Sequence, residues 1–179
     1  MTARGLDPET LLRLGTSDHY EDPELYDFEY RDHRHDIAWY RGIARRLGDA
    51  RRIVELGAGT GRISLPLAQD GHRVIAVDRM DPMLARLRDK LAHGDPALAA
   101  RVEPLHGDIT ALPLPDASAD LVIAPFNVLM HLYGWQDLLR CFREAARVLV
   151  PGGTFAFDVL LPDLEWLTWD PNERHSVTH

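Results

Sequence analysis

The chain has a single cysteine, Cys141, so no internal disulfide can form, and a reducing compartment is the expected setting. Cys141 falls within an apolar helical pattern and reads as a small core residue. No apolar run approaches the roughly 18 residues of a membrane-spanning helix, and the first residues carry no apolar signal segment. A membrane partner is therefore not expected, and a soluble, cytoplasmic protein is. Basic residues are outnumbered, 20 Lys and Arg against 28 Asp and Glu, for a formal charge of −8. Without a basic stripe, nucleic acid is not an expected partner. The histidines, among them His33, His35, His175 and His179, lack metal-ligand spacing and read as solvated, so no metal is expected. There is no internal repeat and no low-complexity tract. What remains is 179 residues, 45% of them apolar, which is enough for one domain with a full core.

The most informative stretch is Glu55-Leu56-Gly57-Ala58-Gly59-Thr60-Gly61. It follows the β-branched run Arg52-Ile53-Val54 and precedes Arg62-Ile63-Ser64-Leu65, which reads as a helix start. A strand turning through glycines into a helix brings bare backbone against a ligand. Next comes a strand over 73–77 that ends in Asp78, where a carboxylate can accept both hydroxyl protons of a ribose.

Strands and helices then alternate. Helices are expected over 36–47, 61–70 and 136–149, with another opened by the cap-and-proline pair Asp81-Pro82. Strands are expected over 52–56, 73–77, 101–106, 120–124 and 154–160, and Pro151-Gly152-Gly153 reads as a tight turn before the last. This alternation implies an α/β fold, a parallel sheet covered on both faces by helices. Residues 1–35 form a polar, aromatic segment read as tail or lid, residues 36–161 the domain, and residues 162–179 a tail anchored by Leu164, Trp166 and Trp169.

The glycine turn, Asp78 and Asp108 must fall at the carboxyl ends of neighbouring strands, where open α/β sheets bind ligands. Asp108 can accept from an exocyclic amine and the Ile109 N–H can donate to a ring nitrogen, a pair that would read adenine. The Gly-x-Gly-x-Gly spacing differs from the Gly-x-Gly-x-x-Gly of dinucleotide folds.

In these residues the chain resembles the class I S-adenosylmethionine-dependent methyltransferases of small-molecule type. The motifs run in order: Val54 to Gly61, Val77-Asp78, Gly107-Asp108, and Leu149-Val150-Pro151-Gly152-Gly153. The resemblance covers about residues 35 to 160, and Phe126 to Leu132 is similar to the stretch after strand four in those enzymes. It implies a doubly wound Rossmann-like sheet in the order 3-2-1-4-5, S-adenosylmethionine as cofactor and methyl transfer to an O or N nucleophile of a small molecule. Glu55 would orient the loop near the methionine amine. Gly57, Ala58, Gly59 and Gly61 would border the methionyl part, and backbone at Pro125 or Phe126 would bind its amine. Asp78 would hold the ribose, with Arg79 and Met80 near the adenine, which Asp108 and Ile109 would read. Asn127 and His131 would face the methyl group as catalytic residues. Tyr26 and Arg34 are candidates for closing over the cofactor. The sulfonium is already activated, so aligning the nucleophile is the main task, and alignment can supply roughly 7–11 kcal/mol of the barrier reduction. An NAD(P)-dependent oxidoreductase and a non-catalytic S-adenosylmethionine-binding fragment are the alternatives.

One departure stands out. The family's sheet ends in further antiparallel strands that this sequence does not show, which leaves the strand over 154–160 as an apolar edge. Three accounts are expected to cover it: a truncated chain, a partner that includes a second copy of the chain, or the tail with Trp166 and Trp169.

Overall fold

The structure is a computed structural model that describes residues 20–161 and residue 168. The tail residues Leu164, Trp166 and Trp169, offered as cover for the last strand, lie outside the described residues, as do His175 and His179.

The elements are α1 (Pro23–Glu29), α2 (His35–Leu47), β1 (Arg52–Leu56), α3 (Ser64–Gln69), β2 (Arg73–Asp78), α4 (Asp81–His93), α5 (Pro96–Ala99), β3 (Val102–His106), β4 (Ala119–Ala124), a 3-10 turn over Val128–His131, α6 (Trp135–Val148) and β5 (Leu149–Phe157). The five strands are all parallel and ordered β3-β2-β1-β4-β5, as expected from the sequence.

The sheet is buried on both faces because its strands are apolar at successive positions, and period-two alternation sorts their side chains into two cores. Val54, Leu56, Val122 and Ala124 pack with Cys141, Ala145 and Val148 of α6. Ile53, Leu121 and Ile123 pack the other way, against Tyr40, Ile43 and Ala44 of α2 and Leu67 of α3. Leu87 and Leu91 of α4 join Ala76 and Val102 in a third cluster. Cys141 is fully buried, and burial pushes its thiol up to about 11, so it remains a protonated core group.

Two boundaries differ from expectation for visible reasons. The helix expected over 61–70 begins only at Ser64, because Gly61 takes a φ of 85° and the chain is still turning there. β5 starts at Leu149, opposite Ala119, and then breaks register, so that Leu121 faces Thr154. The residues between form a bulge through Gly152, at φ 80°. The expected turn over 151–153 therefore exists, but inside the strand. At the far end of α6, Arg147 holds the β3–β4 connection, donating to the carbonyls of Leu112 and Leu114 at 2.9 and 2.8 Å.

No helix among the described residues is long and apolar enough to cross a membrane.

Candidate functional site

Asp78 ties three strand ends together. Its carbonyl accepts the Gly107 N–H at 3.0 Å, which joins the loop after β3 to the end of β2. Its carboxylate accepts the Gly59 N–H at 2.7 Å and the Met80 N–H at 2.8 Å, which joins the loop after β1 to the start of α4. The Ala58 N–H adds a bond to the Val77 carbonyl at 3.0 Å. The carboxylate is 8% exposed. Burial raises its pKa, and the amides of Met80, Gly59 and Arg79 offset only part of that rise.

Around this knot lies a cavity with about 800 Å³ of empty space, its mouth included. It is lined by Asp78, Arg79, Met80, Asp108 and Ile109 together with Gly57, Gly59, Phe126, Val128 and His131. Gly57 and Gly59 sit at φ 67° and 55°; a side chain on either would fill the floor, meeting Val128 or Met83. Asp108 serves two purposes: one oxygen accepts the Thr110 N–H and hydroxyl at 2.7 and 2.8 Å, and the residue still borders the cavity.

The N-terminal segment closes the roof. α1 begins with Asp22, whose carboxylate accepts the Leu25 N–H at 2.9 Å, and Pro23 follows in the first turn. Its aromatic residues form an arch. Tyr20 meets His131 edge-on at 5.6 Å between centroids, Tyr20 meets Tyr26 at 6.0 Å, Tyr26 meets Tyr30 at 4.8 Å, and Tyr30 meets Phe126 at 4.8 Å. His33, expected in solvent, instead packs on Phe126 at 5.0 Å, and its burial lowers its pKa. The arch is fastened on both sides. Asp27 accepts from the Thr60 hydroxyl at 2.6 Å, Lys90 at 2.7 Å and Arg86 at 3.1 Å. Arg62 donates to Asp36 at 2.8 Å and to the His33 carbonyl at 3.0 Å, and its guanidinium lies 4.6 Å from the Phe126 ring centre.

His131 is fixed by its neighbours. The Tyr20 hydroxyl and His131 Nε2 share a hydrogen bond of 3.0 Å. Burial raises the Tyr20 phenol, which stays protonated.

Of the residues singled out in the sequence, the structure gathers Tyr26, Gly57, Gly59, Asp78, Arg79, Met80, Asp108, Ile109, Phe126 and His131 around one cavity. Five others do not line it. Ala58 is buried beneath the loop. Gly61 and Arg34 border a separate groove behind α1. Asn127 accepts the Leu160 N–H on its side-chain oxygen at 2.5 Å. Glu55 is 1% exposed under the loop, where the Ser64 hydroxyl donates to it. Sequence reasoning missed Met83, Val128 and Leu132 as cavity residues; Tyr20, one of the N-terminal aromatics read as tail or lid, also lines the cavity. Asp22-Pro23, the same cap-and-proline signal as Asp81-Pro82, is a further sign of a structured roof.

The buried Glu55 has a measurable consequence. Burial holds its carboxyl up to about 8, against an ordinary value of 4.5. Between those values the folded chain binds a proton that the unfolded chain has released, so this group makes stability fall as pH rises. Melting temperatures measured between pH 4.5 and 8 are expected to decline more steeply for the wild type than for Glu55→Gln, which cannot ionise. Equal slopes would show that Glu55 ionises normally.

The sequence matches the family described as Methyltransferase domain over residues 54–157. It is 35% identical, over 74% of its length, to a probable S-adenosylmethionine-dependent methyltransferase of Mycolicibacterium smegmatis, of which it covers 46%. It is 38% identical, over 64% of its length, to the demethylmenaquinone methyltransferase of Clavibacter sepedonicus, of which it covers 45%. Among solved structures, the CcbJ methyltransferase of Streptomyces caelestis superposes with a TM-score of 0.59 at 39% identity, over 64% of this chain and 48% of that one. The glycopeptide N-methyltransferase MtfA, complexed with S-adenosylmethionine, superposes with a TM-score of 0.59 at 27% identity, over 66% of this chain and 52% of that one. The chain spans about half the length of the curated relatives it matches.

Proposed function

We propose, from the premise that this chain belongs to the S-adenosylmethionine-dependent methyltransferases, that it transfers a methyl group to an N or O nucleophile of a small molecule, inside the cavity beneath the aromatic arch. The observation that carries this reading is the Asp78 knot, a buried carboxylate at the meeting point of three strand ends, beside two glycines whose missing side chains leave room for a ligand.

The residues present fit the cofactor. Asp78 is the acceptor for the ribose hydroxyls, because each carboxylate oxygen that already holds an amide retains a second lone pair. Asp108 and the Ile109 amide would read the adenine edge, beside the apolar side chains of Met80 and Met83. Gly57 and Gly59 would leave room for the methionyl part near Pro125 and Phe126. When bound, the cofactor supplies a methyl group on a positively charged sulfur whose neutral thioether leaves without a proton.

The chain's own contribution is placement and dryness. Tyr20, Tyr26 and Phe126 close the cavity with rings that exclude water and tolerate a cation against their faces. When the nucleophile arrives protonated, His131 would receive its proton on the other ring nitrogen, Nδ1, with Nε2 engaged by Tyr20. The small-molecule acceptor is supported by the names of the relatives, one a demethylmenaquinone and another a glycopeptide methyltransferase.

Calorimetric titration with S-adenosylhomocysteine and, separately, with NAD tests the reading. Binding of S-adenosylhomocysteine with no heat from NAD is expected. Binding of NAD alone would replace the reading with an oxidoreductase.

A further inference from the structure

The stretch after β4 carries two consecutive non-glycine residues in the left-handed region, Phe126 at φ 58° and Asn127 at φ 62°. Asparagine accepts that conformation with little difficulty, whereas a bulky residue such as phenylalanine rarely does. Something outside the segment must hold it. Two successive amides in such a turn point the same way and form a small nest for an anion. Here the anion is the protein's own. Asp158, immediately after β5, accepts the Phe126 N–H at 2.9 Å on one oxygen and the Asn127 N–H at 3.1 Å on the other. A third donor fixes the carboxylate from below: the hydroxyl of Tyr40, fully buried on α2, at 2.6 Å. Asn127 closes the circuit by accepting the Leu160 N–H.

Phe126 so held borders the cavity, while Tyr30 and His33 pack on its ring and Arg62 lies over it from the side of the groove behind α1. Asp158 itself does not border the cavity.

We propose that Asp158 is a positioning residue that, by holding the Phe126 and Asn127 amides, sets the wall against which the methionyl arm of the cofactor and the aromatic arch both close. This role rests on the methyltransferase reading of the site. It predicts a split between ligands, because adenosine occupies only the Asp78 and Asp108 end, whereas S-adenosylhomocysteine also reaches Phe126. A carboxylate that served general stability alone would affect both ligands alike.

The test is calorimetric titration of wild type and Asp158→Asn with adenosine and with S-adenosylhomocysteine. The asparagine keeps the size but sets an NH2 donor against one of the two amides. Affinity for S-adenosylhomocysteine is expected to fall about tenfold, while adenosine binding stays within about twofold. If Asp158→Asn does not fold, Tyr40→Phe, which removes only the third donor, decides the matter with a smaller loss, again confined to S-adenosylhomocysteine. Equal losses for both ligands, or none, would overturn the role of Asp158 while leaving the site intact. A wild-type chain that binds neither ligand would overturn the methyltransferase reading, and the role of Asp158 with it.

Discussion

Asp78→Asn is expected to weaken S-adenosylhomocysteine binding by at least about 100-fold, because hydrogen bonds to a charged acceptor contribute roughly 1.5–3 kcal/mol each and two ribose hydroxyls share this one. The structure adds a second reason. The carboxylate already holds the Gly59 and Met80 amides, so an asparagine NH2 must face one of these donors as a donor itself. The glycine loop then loses its tether as well as its charge partner. Circular dichroism would separate loss of fold from loss of binding. A folded variant with undiminished affinity would show that the ribose lies elsewhere.

Gly57→Ala is the second large effect. A Cβ there would lie 2.0 Å from Val128 Cγ2, on a backbone at φ 67°. The conformation costs roughly 1–2 kcal/mol for an L-residue, and overpacking adds roughly 1–3 kcal/mol. Val128 has little room to yield, because a β-branched side chain is stiff at χ1. For a domain of this size the sum corresponds to a melting temperature lower by roughly 5–15 °C. Val128 also opens the 3-10 turn that carries His131, so the clash reaches the cavity wall at His131. Adding Val128→Ala to Gly57→Ala should restore the overpacking part and leave the conformational part, a coupling that a double-mutant cycle reads directly. Full stability in the single variant would mean that the loop and the turn are not in contact.

The strands, the helices and the acids after β2 and β3 were legible because they follow from local signals, whereas the strand order came with the family resemblance. Apolar runs of five or six residues alternate with helical periods, and Asp78 and Asp108 close their strands in the sequence itself. The roof was legible only in part. Tyr20 and His131 meet across 111 positions, and no pattern within a window of the sequence can pair them. The hydrogen bond of Asn127 was out of reach for a related reason: its left-handed backbone and the Leu160 amide, 33 residues later, are not local signals. The depth of Glu55 was likewise not legible, because it depends on Ser64, the first residue of α3, packing against it in the core. Asp158 drew no attention in the sequence, since its meaning depends on two backbone amides 32 and 31 residues earlier.

The edge of β5 keeps apolar side chains in view of solvent, with Phe157 and Val159 39% and 45% exposed. The rings of Phe142, Phe155 and Phe157 cluster beside it, at 5.3–5.8 Å between centroids.

A crystal structure of the chain soaked with S-adenosylhomocysteine measures the central claim most directly. The nucleoside should rest on the ends of β1, β2 and β3, its ribose hydroxyls on Asp78 and its sulfur directed to the space between Phe126 and His131. Density for the nucleoside at any other place, with the side chains of the protein itself packed into that crevice, would contradict the account.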